Sequence, residues 1–135
     1  MNALRACGCI FGGSLVVAGA ILPWLTLDAG LQRYGGTTGI YGWLVVAAGV
    51  LAVAGGVREW LAPSHWLVRA NAGLGVALTI FAVWLLVGLY GLVHRPDAAM
   101  LVPRAGPGLF VVLAGALFIV ASVGLVRPTA SAVDT

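Results

Sequence analysis

The chain has 135 residues, of which 61% are hydrophobic and only 8% are charged, and its formal net charge is +3. Soluble domains carry about 25% charged residues, so this composition excludes a soluble globular domain and a disordered chain. The seven basic residues are scattered singly and form no stripe for phosphates, which excludes nucleic acid as a partner. The sequence therefore predicts an integral membrane protein, which has the lipid bilayer as a partner.

Charged residues divide the chain into four apolar stretches, each long enough to cross a bilayer as a helix of about 20 residues. The stretches are residues 6–27, 40–57, 70–93 and 107–126. None contains Asp, Glu, Lys, Arg or His, and none alternates as a barrel strand does. We predict one all-α domain over residues 1–135, in which four transmembrane helices form two antiparallel hairpins. Residues 128–135 are small and polar and are predicted to be a flexible tail.

The first stretch shares features with a secretory signal peptide, namely a charged start at Arg5 and an Ala-Gly-Ala sequence at 18–20. The apolar run continues through Trp24, past the point of cleavage, so we expect it to remain in the protein. Cys7 and Cys9 precede the apolar core on the predicted cytoplasmic side, where thiols stay reduced. We expect both cysteines to be inert packing residues.

The arginines at the ends of the stretches predict the orientation. The side with both termini has four arginines and the terminal amine, and these arginines are Arg5, Arg58, Arg69 and Arg127. The other side has three, which are Arg33, Arg95 and Arg104. Because cytoplasmic loops carry an excess of positive residues, both termini are predicted to be cytoplasmic.

Glycines and aromatic residues predict the connections. The outer segment 28–39 contains four glycines and is predicted to be a compact turn. The inner segment 58–66 is predicted to lie along the membrane interface, with Trp60 and Trp66 dipping inward. Aromatic side chains collect at membrane interfaces, so Trp24 is predicted to be an anchor at the outer boundary.

Small residues at a spacing of four predict the faces through which the helices pack, because such faces let backbones approach closely. The candidates are Gly8, Gly12, Ala48, Ala52, Gly56, Gly75 and Thr79. Trp84 lies near the middle of the third stretch, and a buried indole N–H needs a partner. We therefore expect Trp84 to pack inward or against another subunit.

An offset of 66 residues aligns the two halves of the chain. The segment 42–49 matches the segment 108–115 at five of eight positions, and the same offset places Trp24 on Tyr90. Each half is a predicted hairpin, so an axis along the membrane normal would relate the halves. The pattern predicts an internal duplication, and chance matching in a chain rich in Val, Ala, Gly and Leu is the alternative.

Polar residues are too few and too scattered for a metal, cofactor or catalytic site. His65 and His94 fall on opposite sides of the predicted membrane, and two thiols are fewer than the four ligands of a structural zinc site. Ion-coupled transport is disfavoured because no predicted span carries a charged residue. The densest polar cluster is on the outer side, where a docking patch for an external partner or a lipid headgroup is the alternative to a solvated loop. Its residues are His94, Arg95, Asp97 and Arg104.

The first stretch ends near Pro23 and Trp24, and a glycine-rich outer loop follows. In size, layout and this pattern the chain resembles uncharacterised small four-transmembrane-helix membrane proteins of actinobacteria. This resemblance implies the plasma membrane of a bacterium and assigns no activity to any residue. All seven basic residues are arginine, which is typical of a GC-rich genome and agrees with such a source.

The predicted spans have wide small-residue faces, contain no charged residue and offer no ligands for a cofactor. This combination favours a non-catalytic accessory or scaffolding subunit of a larger membrane complex. Its expected partners are other membrane protein subunits or a second copy of the chain. The alternative is a small transporter or channel for a neutral or lipidic substrate. An enzyme is the third hypothesis, and it is disfavoured because no constellation of acid, base and nucleophile is visible.

Overall fold

The computed structural model describes residues 2–27, 32–94 and 104–124, which are predominantly helical. These residues form four α-helices, namely α1 (Asn2–Ile21), α2 (Ile40–Leu61), α3 (His65–Val93) and α4 (Pro107–Gly124). Each helix is long and apolar enough to cross a membrane. The same residues form three short strands, namely β1 (Pro23–Leu27), β2 (Gln32–Gly35) and β3 (Arg104–Ala105). The predicted tail at 128–135 lies outside the described residues.

Prolines mark several helix ends, because proline lacks a backbone N–H and cannot continue an α-helix. Helix α1 ends two residues before Pro23, and α2 ends two residues before Pro63. Pro107 is the first residue of α4, where its missing N–H removes no helical hydrogen bond. Helix α1 is therefore shorter than the predicted stretch 6–27, whose last residues form β1 instead.

The connection between α2 and α3 is much shorter than the predicted interfacial segment 58–66. Helix α2 continues through the first residues of that segment and α3 begins at His65, which leaves only residues 62–64 between them. The prediction was wrong because backbone hydrogen bonds carry a helix through charged residues at which an apolar run ends. The side chains of Trp60 and Trp66 are both exposed, and their position at a membrane interface stays a prediction.

A small antiparallel sheet lies at one end of the bundle, so the all-α prediction was incomplete. Strand β1 is central and pairs with β2 on one side and with β3 on the other. Thr26 of β1 lies opposite Arg33 and Arg104, and its hydroxyl donates to the Arg104 carbonyl oxygen at 3.3 Å. Residues 32–35 are a strand, which corrects the predicted compact turn over 28–39. We call this the sheet end of the bundle, and the opposite end, where α2 meets α3, the loop end.

Trp24 is packed into the sheet end, a role beyond the interfacial anchor that the sequence predicted. Its indole Nε1 donates to the Gly19 carbonyl oxygen at 2.9 Å, and its own carbonyl oxygen accepts from the Gly106 N–H at 2.7 Å. A Cβ added at Gly36 would collide with the indole, and one at Gly108 would lie 2.7 Å from its Cδ1. Glycine at these positions makes room for the ring, which fixes the path of the chain from α1 into β1.

The helices form a ring in the order α1, α2, α3, α4, and α1 packs extensively against both of its neighbours. A Cβ at Gly12 would lie 2.8 Å from the Gly115 carbonyl oxygen of α4. A Cβ at Gly13 would lie 2.8 Å from the Gly49 carbonyl oxygen of α2. Helix α3 packs against α4, but its contact with α2 is the smallest between neighbouring helices. The bundle is therefore tight around α1 and open between α2 and α3.

This packing differs between the two hairpins. Gly49 and Gly115 are equivalent under the 66-residue offset. A two-fold axis that relates the hairpins would place Gly49 on α1 and Gly115 on α3. In the structure both glycines lie against α1. The internal duplication therefore stays a prediction from the sequence.

Candidate functional site

The small residues that were predicted for helix packing lie in several contacts. Gly8 and Gly12 lie against α4, Gly56 lies against α1, and Gly75 lies against Ile119 of α4. Ala52 is fully buried on the same face of α2 as Gly56. The Thr79 hydroxyl is turned back onto its own helix, where it donates to the Gly75 carbonyl oxygen at 2.8 Å. The last small residue, Ala48, lines the opening between α2 and α3, and the other packing candidate, Trp84, lies beside it.

Helices α2 and α3 make the smallest contact between neighbouring helices, and we call the opening between them the α2–α3 seam. One cavity of about 280 Å³ lies midway along the seam, and another of about 390 Å³ lies nearer the loop end. Leu74 lines both cavities, so they are neighbours along α3. The side chains of the first cavity are all apolar, and they are Leu44, Val45, Ala48, Leu74, Ala77, Leu78 and Phe81.

Asn71 is a buried polar residue on the floor of the second cavity. It is 4% exposed, and its Nδ2 has no hydrogen-bond partner among the described residues. The amide lies over Gly55 of α2, where an added Cβ would come within 2.8 Å of Nδ2. A buried N–H without an acceptor costs about 1–3 kcal/mol. The seam therefore contains a buried donor without an acceptor among the described residues.

Aromatic rings flank the seam on the side of the sheet end. The ring of Trp84 lies 6.0 Å from that of Phe81 and 6.2 Å from that of Tyr41, measured between centroids. Trp84 is 59% exposed, so the expectation that it packs inward was wrong. Its contact with another subunit stays a prediction. A second aromatic pair, Phe11 and Phe118, lies on the opposite α1–α4 contact, which the glycine backbones close.

The loop end contains a polar cavity of about 270 Å³, which we call the loop-end cavity. Its walls come from α1, α2 and α3, and its lining residues are Arg5, Glu59, Pro63, Ser64, His65 and Val68. Glu59 is only 2% exposed, and its Oε2 has no hydrogen-bond partner within the described part of the chain. The buried Nε of Arg5 likewise has no partner there. Arg5 is the cation that interacts electrostatically with Glu59.

Sequence reasoning places Glu59 with Ser64 and His65 on the inner side but does not predict its burial, because it assigns this residue to an interfacial connection. A signal was present in the spacing of α2. Ala52, Gly56 and Glu59 follow each other at intervals of four and three residues, which places them on one face of a helix. All three are buried. Extending the small-residue face by one turn would have predicted a buried carboxylate.

The predicted external docking patch is described only in part. Arg95 and Asp97 lie outside the described residues. His94 is exposed at the end of α3, where its ring stacks on Tyr90 at 4.3 Å and its Nδ1 lies 3.0 Å from the Tyr90 carbonyl oxygen. Arg104 is exposed in β3. These contacts fix His94 locally, and the patch stays a prediction.

The two cysteines occupy different environments on α1. Cys7 is exposed, whereas Cys9 is buried in the core with its Sγ 3.7 Å from the Ser122 Oγ. Among the described residues, no group of three or more His, Cys, Asp or Glu side chains could hold a metal ion. The polar chemistry of the described bundle is therefore concentrated at Asn71 and in the loop-end cavity.

Comparison with protein-family models, with curated proteins and with solved structures finds no match for this chain. The functional interpretation consequently depends on the two features that the bundle itself presents. The α2–α3 seam is lined mainly by apolar side chains and contains one amide without a partner among the described residues. The loop-end cavity contains a carboxylate and a guanidinium, each with an unpartnered atom among the described residues.

Proposed function

We propose that the protein is a multi-pass protein of a bacterial plasma membrane, with α1 to α4 crossing the bilayer and both termini in the cytoplasm. The length and apolar composition of these helices support the insertion. Arg5, Arg58 and Arg69 belong to the loop end, whereas Arg33 and Arg104 belong to the sheet end. An excess of arginine is typical of the cytoplasmic side.

Cysteine labelling in intact cells tests this orientation. In a background without Cys7 and Cys9, Thr38→Cys at the sheet end should react with a membrane-impermeant maleimide. Ser64→Cys at the loop end should react only after the membrane is permeabilised. Both wild-type residues are exposed in the structure, so the side of the membrane decides the result. Labelling of Ser64→Cys alone in intact cells would reverse the orientation.

We further propose that the protein acts as a non-catalytic accessory or scaffolding subunit that holds a transmembrane helix of a partner in the α2–α3 seam. The observation that carries this proposal is the unpartnered Asn71 amide on the floor of an opening whose other lining residues are apolar except for Arg58. Exposed apolar side chains are normal in lipid, but lipid chains offer no acceptor to a buried N–H. A polar group of a neighbouring helix supplies one, and such hydrogen bonds join helices in membranes.

Site-specific photo-crosslinking in cells tests the partner. A photoreactive amino acid at Trp84 beside the seam should give one discrete product, because a partner helix lies there. The same amino acid at Phe118 on the α1–α4 contact is the matched control, since the two side chains are 59% and 51% exposed. Asn71→Leu should weaken the product from position 84. Equal products from both positions would contradict the proposal, and a product of two chains would replace the partner by self-association.

A second candidate function is passage of a neutral or lipidic substrate, and the row of neighbouring cavities along the seam favours it. A third cavity of about 350 Å³ shares Arg58 and Leu67 with the loop-end part of the seam. Neighbouring cavities therefore occur from the middle of α3 to the loop end. Reconstituted protein would then move fluorescent lipids between the leaflets of liposomes faster than empty liposomes do. The accessory function predicts no such acceleration.

A further inference from the structure

The loop-end cavity is lined by an acidic and a basic side chain, and each has a buried polar atom without a hydrogen-bond partner among the described residues. Glu59 is 2% exposed with an unpartnered Oε2, and the neighbouring Arg5 has an unpartnered, buried Nε. Neither atom has a hydrogen-bond partner among the described residues. A buried charged group without its hydrogen bonds is strongly disfavoured. A ligand that carries a donor and an acceptor close together would satisfy both atoms at once.

The first turn of α3 adds a second feature for an anion. Ser64 is the N-cap residue of this 29-residue helix, and its side chain makes no capping hydrogen bond among the described residues. The first N–H groups of an α-helix have no acceptor within the helix, and the helix dipole favours negative charge there. Ser64, His65 and Val68 line the cavity, so this helix start faces the same space as Arg5 and Glu59. Phosphate groups bind at such positions.

We propose that the loop-end cavity binds the zwitterionic ammonium phosphate headgroup of an ethanolamine phospholipid. The ammonium donates to the Glu59 carboxylate, and the phosphate accepts from Arg5 and from the start of α3. This inference rests on the proposed membrane insertion, which brings the loop end to the depth of the headgroups. The cavity has a volume of about 270 Å³, and its lining residues Pro63, Ser64 and His65 are exposed at the end of the bundle, where a headgroup can enter.

The chemistry of the cavity predicts which headgroups bind. A choline headgroup has the same charges but no ammonium N–H to donate to Oε2, and its three methyl groups need more space. A glycerol headgroup carries the phosphate but no cation for Glu59. The ethanolamine headgroup alone among these three offers both a charged N–H donor and a phosphate. Free phosphoethanolamine has the same two groups, so it distinguishes the headgroup from the lipid chains as the source of affinity.

Native mass spectrometry of the full chain tests this proposal after reconstitution into discs of ethanolamine, choline or glycerol phospholipid. The wild type should retain the ethanolamine lipid about tenfold more strongly than the choline lipid, as the loss of one hydrogen bond to a charged group implies. Glu59→Gln should abolish this preference. Arg69→Gln is the control, because Arg69 is exposed on α3 and does not line the cavity. Free phosphoethanolamine in detergent should displace the retained ethanolamine lipid.

Thermal unfolding in the same discs separates a binding site from an internal ion pair. The wild type should melt at a higher temperature in ethanolamine than in choline lipid, and Glu59→Gln should remove this difference. The proposal is overturned if the wild type melts equally in both lipids. It is also overturned if Glu59→Gln lowers both melting temperatures by the same amount, because Glu59 then acts only as the partner of Arg5. In the cysteine-labelling experiment, the same labelling pattern for Thr38→Cys and Ser64→Cys in intact and in permeabilised cells would instead overturn the membrane insertion.

Discussion

Gly115 lies where α4 and α1 meet without room for a side chain. A Cβ at this position would lie 2.6 Å from the Gly12 carbonyl oxygen and 2.9 Å from the Val16 backbone nitrogen. Both are backbone atoms that no side-chain rotation can move, so Gly115→Ala must push the two helices apart. Overpacking of this kind costs about 1–3 kcal/mol. Alanine also stabilises a helix relative to glycine by up to about 1 kcal/mol, and subtracting this full gain leaves a net loss of up to about 2 kcal/mol.

Gly88→Ala on α3 is the matched control for this prediction. A Cβ at Gly88 would meet no atom of the described residues within 4 Å, so only the gain in helix preference remains. Thermal unfolding in mild detergent measures both variants. Gly115→Ala should melt several degrees below the wild type, whereas Gly88→Ala should melt at the same temperature or higher. Equal melting temperatures for the two variants would refute the backbone contact between α1 and α4.

Three further predictions concern single residues. Ala52→Leu forces a branched side chain into the fully buried face of α2 and should lower the free energy of unfolding by about 1–3 kcal/mol. Leu51→Ile on the exposed face is the control and should leave the unfolding temperature unchanged. Equal effects of the two substitutions would contradict this packing. A small maleimide should modify Cys7 but not the buried Cys9 in the folded protein, as intact-mass measurement would show, and rapid labelling of both would be inconsistent with the core. Trp24→Phe removes the N–H donated to α1 and should lower the unfolding free energy by about 0.5–1.5 kcal/mol; an unchanged value would rule out that hydrogen bond.

The existence of the helices was predictable, because each combines a long apolar run with a proline or a charge at its ends. The end of α2 was not, and Glu59 explains why. An apolar-run criterion stops at the first charge, but Glu59 continues the buried face that Ala52 and Gly56 begin. Helix geometry, rather than hydropathy, places this carboxylate inside the bundle. Composition and hydropathy therefore do not predict the buried carboxylate of the loop-end cavity.

The sheet was beyond local reasoning for a different reason. Thr26 pairs with Arg104, which is far along the chain and lies just before α4. Strand β3 has only two residues, too few to produce an alternating pattern. Its pairing depends on α1 and α4 packing side by side, which brings their sheet ends together. Tertiary packing thus creates this strand, and a glycine-rich turn is all that the local sequence indicates.

The seam between α2 and α3 likewise depends on tertiary packing. Trp84 was predicted to contact the protein interior or another subunit, and the structure exposes it because α3 is the least buried of the described helices. The small residues of α1 take both neighbouring helices into backbone contact, which leaves α3 on the outside of that arrangement. No local pattern in α3 distinguishes a helix that packs on two neighbours from one that packs mainly on one.

The most direct test of the accessory-subunit proposal is the mass of the particle that contains this chain when it is extracted from its own membrane in polymer-bounded discs. Native mass spectrometry should find the chain together with a different polypeptide. Trp84→Ala beside the seam should release that polypeptide, whereas Phe118→Ala on the opposite α1–α4 contact should retain it. A chain found alone, or a complex that both variants retain equally, would contradict the proposal that the α2–α3 seam holds a partner helix.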